Sequence, residues 1–436
     1  MLANNWKQNL HLEPTKGWLN DPNGLAYFNG KYHIFHQYSY EVNGGLKLWY
    51  YYTSSDLKNY EDRGVFLTPT IEEETHGVYS GSANIEDGKL VFYYTGNVKH
   101  KGDYDYVHAG RGHNTISFET EDGINFTEKK CLLTTDDYPN MSNHVRDPKI
   151  FEKNGKKYLV LGARDSNDYG CLLVYDKDTL KPYKTIYSKN NLGFMWECPD
   201  YFEVDGKEIF MFSPQGITRM YPNYENMYQI GYSVVEDGIE NVDKLDNFTL
   251  LDYGHDFYAS QTFLDEDNNR VLIGWMYVPD SSYTNPTTKF GYQNCLTVPR
   301  VVNFKDGKVR QTLHKSVKDL LGNDIETNDF NKNTWYYKQE HGESFEISVA
   351  DFKVSYENKE LKVSFGTSGY GRNDRKYKLD LEDVEIVFDS SSIELFANGG
   401  SFTISTRFYP ENHDVKILAT NYVAKELGAI EIREEN

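Results

Sequence analysis

Three carboxylates stand at matching places in this 436-residue chain. Asp21 lies eight residues before the pair Asn29-Gly30, Asp147 seven before Asn154-Gly155, and Glu197 eight before Asp205-Gly206. Two further polar residues keep the same phase, Ser80 seven before Asp87-Gly88 and Tyr258 seven before the polar stretch 265–270. A pair of carboxyl groups, one to attack or guide water and one to protonate a leaving oxygen, is the equipment of glycosidic bond hydrolysis. Any one aspartate could equally cap a strand end or close an Asx-turn. Three carboxylates in one phase make a shared site the better reading.

The phase is set by turns. Asn-Gly and Asp-Gly pairs favour the φ > 0 backbone that tight hairpins need. Each is followed by an apolar run, at 31–35, 89–94, 156–161 and 207–212, with a fifth at 271–277 after 265–270. Asp237-Gly238 and Asp306-Gly307 are further turns. Units recurring roughly every 50 to 67 residues fall in or just above the range of propeller blades. Five units of four strands predict a five-bladed β-propeller over 1–312, with equivalent positions gathered round one axis. An all-β sandwich with similar turns is the alternative from spacing alone. Residues 313–325 read as a linker with a short helix at 314–322 (HKSVKDLLG). Short strands at 361–365, 384–388, 392–396 and 403–408 predict a β-sandwich over 326–436.

Composition narrows the function. Acidic residues number 66 against 46 basic, a net charge of −20, which repels nucleic acid and anionic membranes alike. Tyrosines number 36 and aromatics reach 15%, which suits sheets and also a site that stacks rings on sugar faces. Mean hydropathy is −0.69, and no run of 18 apolar residues occurs. The start, MLANNWKQNLHLEP, lacks the basic and apolar regions of a secretory leader, so a cytoplasmic protein is expected. Cys131, Cys171, Cys198 and Cys295 lack metal-ligand spacing and read as free thiols. No metal or cofactor is expected. The partner is a small sugar, and nothing in the sequence fixes an oligomeric state.

Several segments resemble glycoside hydrolase family 32, the invertases and fructanases. Gly17-Trp18-Leu19-Asn20-Asp21-Pro22-Asn23-Gly24 is similar to the family's nucleophile motif, Arg146-Asp147-Pro148 to its transition-state stabiliser, and Glu197-Cys198-Pro199 to its acid/base motif. Tyr79-Ser80-Gly81-Ser82 resembles a Phe-Ser-Gly-Ser segment with Tyr for Phe, and Gln37 falls where the family binds fructose. The run 392–400 (SIELFANGG) resembles a sandwich-domain signature. The resemblance implies a propeller followed by a sandwich. It also implies a retaining reaction with Asp21 as nucleophile, Asp147 gripping fructosyl hydroxyls and Glu197 as acid/base. Cys198 would tune Glu197 or simply fill space. Trp18, Trp49, Tyr258 and Trp275 are candidate sugar walls, and Asn20, Tyr79, Ser80 and Arg146 complete the candidate binding set. One departure is Gly45-Leu-Lys-Leu-Trp-Tyr50 where the family often carries Trp-Gly-His, and the C-terminal region is shorter than usual. Within the family, the segments 44–47, 76–82, 94–98 and 213–216 resemble bacterial sucrose-6-phosphate hydrolases. Short fructo-oligosaccharides are the alternative substrate. Lys47, then Lys99 and Arg219, are the candidate phosphate contacts. An inverting arabinan-cleaving propeller and an inactive fructan-binding protein are the competing readings, and all three carboxylates stand against the second.

Overall fold

Asn29, Asp87, Asn154 and Asp205 have φ of 51°, 50°, 52° and 50°, and the glycines after them 75°, 80°, 74° and 73°. Two successive left-handed residues make the turn whose twist matches a hairpin, and Gly follows Asn or Asp because only it enters that region freely. The computed structural model describes residues 4–220, 223–326, 330 and 333–434. In it each of these turns joins the first two strands of a sheet. Of the expected second domain, 327–329, 331–332 and 435–436 lie outside the described residues, as do 1–3 and 221–222 of the first.

Five sheets follow one another from residue 17 to residue 313, each built on an antiparallel meander. Sheet I runs through Gly17–Phe28, Lys31–Ser39, Leu48–Ser54 and Asn59–Leu67, with Tyr292–Gln293 and Glu431–Glu434 paired in parallel at its two edges. Sheet II begins with Val78–Glu86 and Lys89–Lys99, and sheet III with Met141–Lys153 and Lys156–Asp165. Sheet IV begins with Met195–Val204 and Lys207–Gln215, and sheet V with Tyr258–Leu264 and Arg270–Trp275. At the fifth turn the Asp265 carboxylate accepts the amides of Asp267 and Asn269, each within hydrogen-bond distance, and replaces the Asn-Gly device. The first strand of sheet I packs on that of sheet II, and so on to sheet V, whose first strand packs back on sheet I. Five consecutive units therefore close on themselves.

These five inner strands share an irregularity. Pairing to the second strand slips between Leu19 and Pro22, between Tyr79 and Gly81, and opposite Arg146–Lys149. It slips again between Glu197 and Asp200 and between Tyr258 and Gln261. A bulge inserts residues, turns the strand and re-aims its side chains. Asp147, Cys198 and Ala259 take φ of 62°, 47° and 50° there.

Beyond residue 320 two sheets face each other. One contains Trp335–Glu340, Asp383–Asp389, Ser392–Ala397 and Phe402–Arg407, the other Phe345–Val349, Phe352–Glu357 and Glu360–Ser364. Trp335, Ile386 and Leu395 from the first meet Ile347, Val354 and Leu361 from the second in one core. The helix expected at 314–322 is a single turn, Lys315–Lys318, capped by the His314 imidazole, which accepts the Ser316 amide. Leu321–Asp324 leaves it to pair with Tyr422–Leu427, so sheet pairing overrides helix propensity there. The Asp237-Gly238 turn also starts a one-turn helix, Gly238–Asn241. Among the described residues no helix is long and apolar enough to cross a membrane.

Candidate active site

The bulges bring the phased residues together. Asp21 is held by three donors that carry no charge. The Asn20 amide donates to Oδ1 at 3.0 Å, the Ser80 hydroxyl to Oδ2 at 2.5 Å, and the Cys198 thiol approaches Oδ2 at 3.6 Å. Glu197 has one charged donor among its three. Arg146 Nη2 reaches Oε1 at 2.6 Å, while Gln215 Nε2 and the Tyr258 hydroxyl reach Oε2 at 2.8 and 2.7 Å. Asp147 accepts the Cys198 amide on Oδ2 at 2.9 Å, and its own amide donates to Thr95 Oγ1 at 2.9 Å. Cys198 thus touches two of the carboxylates and neighbours the third in sequence. Its left-handed backbone permits this, since it turns the amide to Asp147 and the thiol to Asp21.

Burial dominates the electrostatics. Asp147 is 5% exposed; desolvation pushes its carboxyl up to about 7, opposed by Arg146 and aided by Glu197. Burial, followed by Asp147 and Asp21, raises the Cys198 thiol well above its ordinary range, so it stays a protonated donor. Arg146 is the cation in direct contact with the cluster, and it is itself fixed. Its Nη1 donates to His144 Nδ1 at 2.9 Å, and His144 Nε2 donates to the Tyr106 carbonyl at 3.0 Å. Burial and Arg146 lower His144 to about 3, which keeps it neutral and able to accept from the guanidinium.

Asn20 is fully determined. Its Oδ1 accepts from Trp18 Nε1 at 2.9 Å and Lys47 Nζ at 3.1 Å, so its amide nitrogen must face Asp21 and Gln37 Oε1, the latter at 2.5 Å. Trp18 lies half-buried, edge-on to Trp275 at 5.9 Å, and Tyr258 also packs on Trp275. Tyr79 is half-buried against His113.

Three expectations are corrected. Trp49 has no exposed surface; its indole N–H donates to the Tyr79 carbonyl at 3.0 Å, so it supports the site from the core instead of forming a wall. Tyr258 is buried with its hydroxyl on Glu197, a holder of that group more than a wall. Lys47 does not stand free at the rim, because its ammonium bonds Asn20 and lies 5.2 Å from the Trp18 ring centroid. Burial lowers Lys47 to about 8 against the pull of Asp21. Lys99 and Arg219 are exposed, Lys99 near the Tyr106 ring and Arg219 bonding the Glu225 carbonyl. Gln215 and His144 were missed. The turn at Asp205-Gly206 fixes the hairpin that pairs Met195 with Gln215, so counting register across it would have placed Gln215 near Glu197 had the bulge been known. Among the described residues no three His, Cys, Asp or Glu are grouped to hold a metal.

Residues 11–314 match the family 32 N-terminal domain of glycosyl hydrolases, and residues 323–433 match the family 32 C-terminal domain. The chain belongs to glycosyl hydrolase family 32. It is a glycoside hydrolase, and the family-32 likeness extends over its length. A sucrose-6-phosphate hydrolase of Vibrio alginolyticus is 32% identical over 92% of this chain and 85% of its own. A raffinose invertase of Escherichia coli is 32% identical over 94% and 90%. The structure of a sucrose-6-phosphate hydrolase from Lactobacillus gasseri superposes with a TM-score of 0.86 at 28% identity, covering 98% of this chain and 94% of that one.

Proposed function

We propose that this chain is a retaining β-fructofuranosidase that cleaves the fructosyl bond of sucrose 6-phosphate in preference to sucrose. The observation that carries the proposal is the bridge at Cys198, which gathers Asp21, Asp147 and Glu197 into one cluster. The Asp21 carboxylate attacks C2 of the fructosyl unit while Glu197 gives its proton to the bridging oxygen, which leaves with the glucose. A water then loses its proton to Glu197 and attacks C2, and Asp21 departs. Asp147 accepts hydrogen bonds from fructosyl hydroxyls as positive charge grows on the ring. Trp18 offers its half-buried ring to the sugar, with Trp275 behind it.

The closed succession of five sheets supports reading residues 1–312 as a five-bladed propeller, and the two facing sheets support a β-sandwich over 326–436, joined by 313–325. Four unpaired cysteines suit a reducing cytoplasm. The phosphate preference rests on the relatives and on cations at the rim. Lys99 and Arg111 stand opposite each other on neighbouring strands of sheet II, and Arg111 reaches His113, which packs on Tyr79. Positive charge concentrated there offsets the net −20 of the chain for a phosphorylated sugar. The test is kcat/KM on sucrose 6-phosphate, sucrose and kestose. A higher value for the phosphorylated sugar is expected. Preference for plain sucrose contradicts the phosphate assignment, and preference for kestose makes the enzyme an oligofructosidase.

A further inference from the structure

Glu197 must hold a proton in the first step and lack one in the second, and a carboxylate has two oxygens on which that proton can sit. The hydrogen bonds around it are unequal. Oε2 accepts from two donors, Gln215 Nε2 at 2.8 Å and the Tyr258 hydroxyl at 2.7 Å, whereas among the described residues Oε1 accepts from Arg146 Nη2 alone at 2.6 Å. A carboxylate presents about four lone-pair positions, two on each oxygen. Oε2 is therefore filled by the protein and Oε1 has one position open. The Gln215 amide nitrogen and the guanidinium are donors only and cannot take a proton from Glu197. The Tyr258 hydroxyl can reverse its role and accept, but to do so it must turn its own hydrogen from the 2.7 Å bond with Glu197 to the poorer one with the Ser213 carbonyl at 3.3 Å. Burial, then Glu197, holds the Tyr258 phenol far above its ordinary range, so it keeps its hydrogen throughout.

We propose that Gln215 and Tyr258 are positioning residues that saturate Oε2 and so reserve Oε1, the oxygen beside Arg146, as the atom that delivers and recovers the catalytic proton. This deepens the reading of Glu197 as acid/base and rests on it. In the first step the O–H bond on Oε1 breaks as the bridging oxygen gains the proton, and the electron pair stays on the carboxylate. The Arg146 N–H already on Oε1 stabilises the charge that appears there. In the second step the same position takes the proton of the attacking water. Without Gln215 or Tyr258, a proton can settle on Oε2, where it faces the protein and is useless to the leaving oxygen.

The inference separates from a merely structural role by leaving group. A natural sugar alkoxide needs the proton; the phenolate of an aryl β-fructofuranoside with an acidic phenol does not. Gln215→Leu and Tyr258→Phe should each lower kcat/KM on sucrose by about 10- to 100-fold, the worth of one hydrogen bond to a charged group. On the aryl substrate both should stay near the unaltered enzyme. Tyr258→Phe keeps the ring and its packing on Trp275, and melting curves report whether either variant is damaged. The pH profile gives a second readout. Arg146, Asp147, Cys198, Tyr228 and Tyr258 all face Glu197, and Asp21 lies beyond Cys198; none but the altered residue changes. Removing a donor favours the protonated acid, so the alkaline limb of kcat/KM on sucrose should move to higher pH by about one unit. Equal losses on both substrates, or no loss on either, would overturn the inference. Glu197→Gln is the control for the reading beneath it: if that variant loses nothing on sucrose, the acid/base assignment itself fails. If it loses activity on sucrose alone and the two neighbours do not, only the role of Oε1 fails.

Discussion

Two groups of carboxylates in this molecule are balanced in opposite ways. Where the succession of five sheets meets the two facing sheets, His11 sits between Asp389 and Glu394 at 2.8 Å from each, and Arg300 Nε reaches Glu394 Oε2 at 2.8 Å. Arg372 grips Asp256 through two bonds of 2.8 and 2.7 Å. All of these side chains are wholly buried, and each acid has a cation of its own or a share of two. Despite burial, His11 holds Asp389, and Arg300 with His11 holds Glu394, below the ordinary carboxylate range. Around Cys198, by contrast, Arg146 serves two of the three carboxylates, Asp21 is held by uncharged donors, and Asp147 rises to about 7. Matched buried charges fix two units of a fold in one arrangement. Under-matched charges leave a carboxyl free to change its proton state, which is what chemistry needs. The difference lies in the number of cations and in depth, since Asp21 and Glu197 are half-buried while every member of the matched network is wholly buried.

The comparison breaks first at the reacting groups. Asp21→Asn and Glu197→Gln should each lower kcat by at least about 10³-fold while thermal unfolding stays close to the unaltered protein, because neither side chain is needed to hold sheets together. An Asp21→Asn enzyme that keeps a tenth of its activity would remove the nucleophile assignment.

Glu394→Gln should do the reverse. Breaking one partner out of a buried, matched network costs about 3–5 kcal/mol, read as a clear fall in Tm, with kcat per folded molecule unchanged. The pH dependence of wild-type stability checks the same network. Against the cost of burial, Asp389 and Glu394 hold His11 up to about 9, above its ordinary 6.5. Its contribution is therefore complete below 6.5 and is lost as the pH rises through 9.

Asp147→Asn is expected to do both things at once. Activity should fall by about 10²-fold, since hydrogen bonds that strengthen in the transition state are weakened. Stability should rise, and more at pH 8 than at pH 5. A carboxyl raised from 3.8 to about 7 makes the folded state lose stability as pH climbs between those values, and an amide does not titrate. A Tm gain equal at both pH values would contradict the account of its charge.

The smallest effect is expected at Lys47. Lys47→Met should lower kcat/KM several-fold, about 1 kcal/mol, and equally for sucrose and sucrose 6-phosphate, because the ammonium is spent on Asn20 and the Trp18 ring. A loss confined to the phosphorylated sugar would return Lys47 to the phosphate site.

Much of this was legible in the chain. The Asn-Gly and Asp-Gly turns needed φ > 0 and have it, and the phase they set carried Asp21, Ser80, Asp147, Glu197 and Tyr258 to one place. What stayed hidden has physical reasons. Bulges leave no periodic mark, so the slip that aims Cys198 at two carboxylates and pairs Met195 with Gln215 could not be counted out. Trp49 alternates onto the face opposite its neighbours, and nothing local distinguishes an indole in the core from one beside a sugar. His11, Arg300 and Glu394 are joined across 94 to 383 residues of sequence, and such separations carry no pattern. The helix expected at 314–322 failed because a strand partner more than 90 residues away competed for its second half.

The central claim is that Asp21 attacks C2 to form a fructosyl-enzyme. The direct measurement is the anomeric form of the first fructose released, followed by NMR in the earliest seconds of turnover with a large amount of enzyme. Two displacements at C2 predict β-fructofuranose first, with the α form appearing only as the sugar equilibrates. Release of α-fructofuranose first would mean that water attacks directly, and Asp21 would then be a base and no nucleophile.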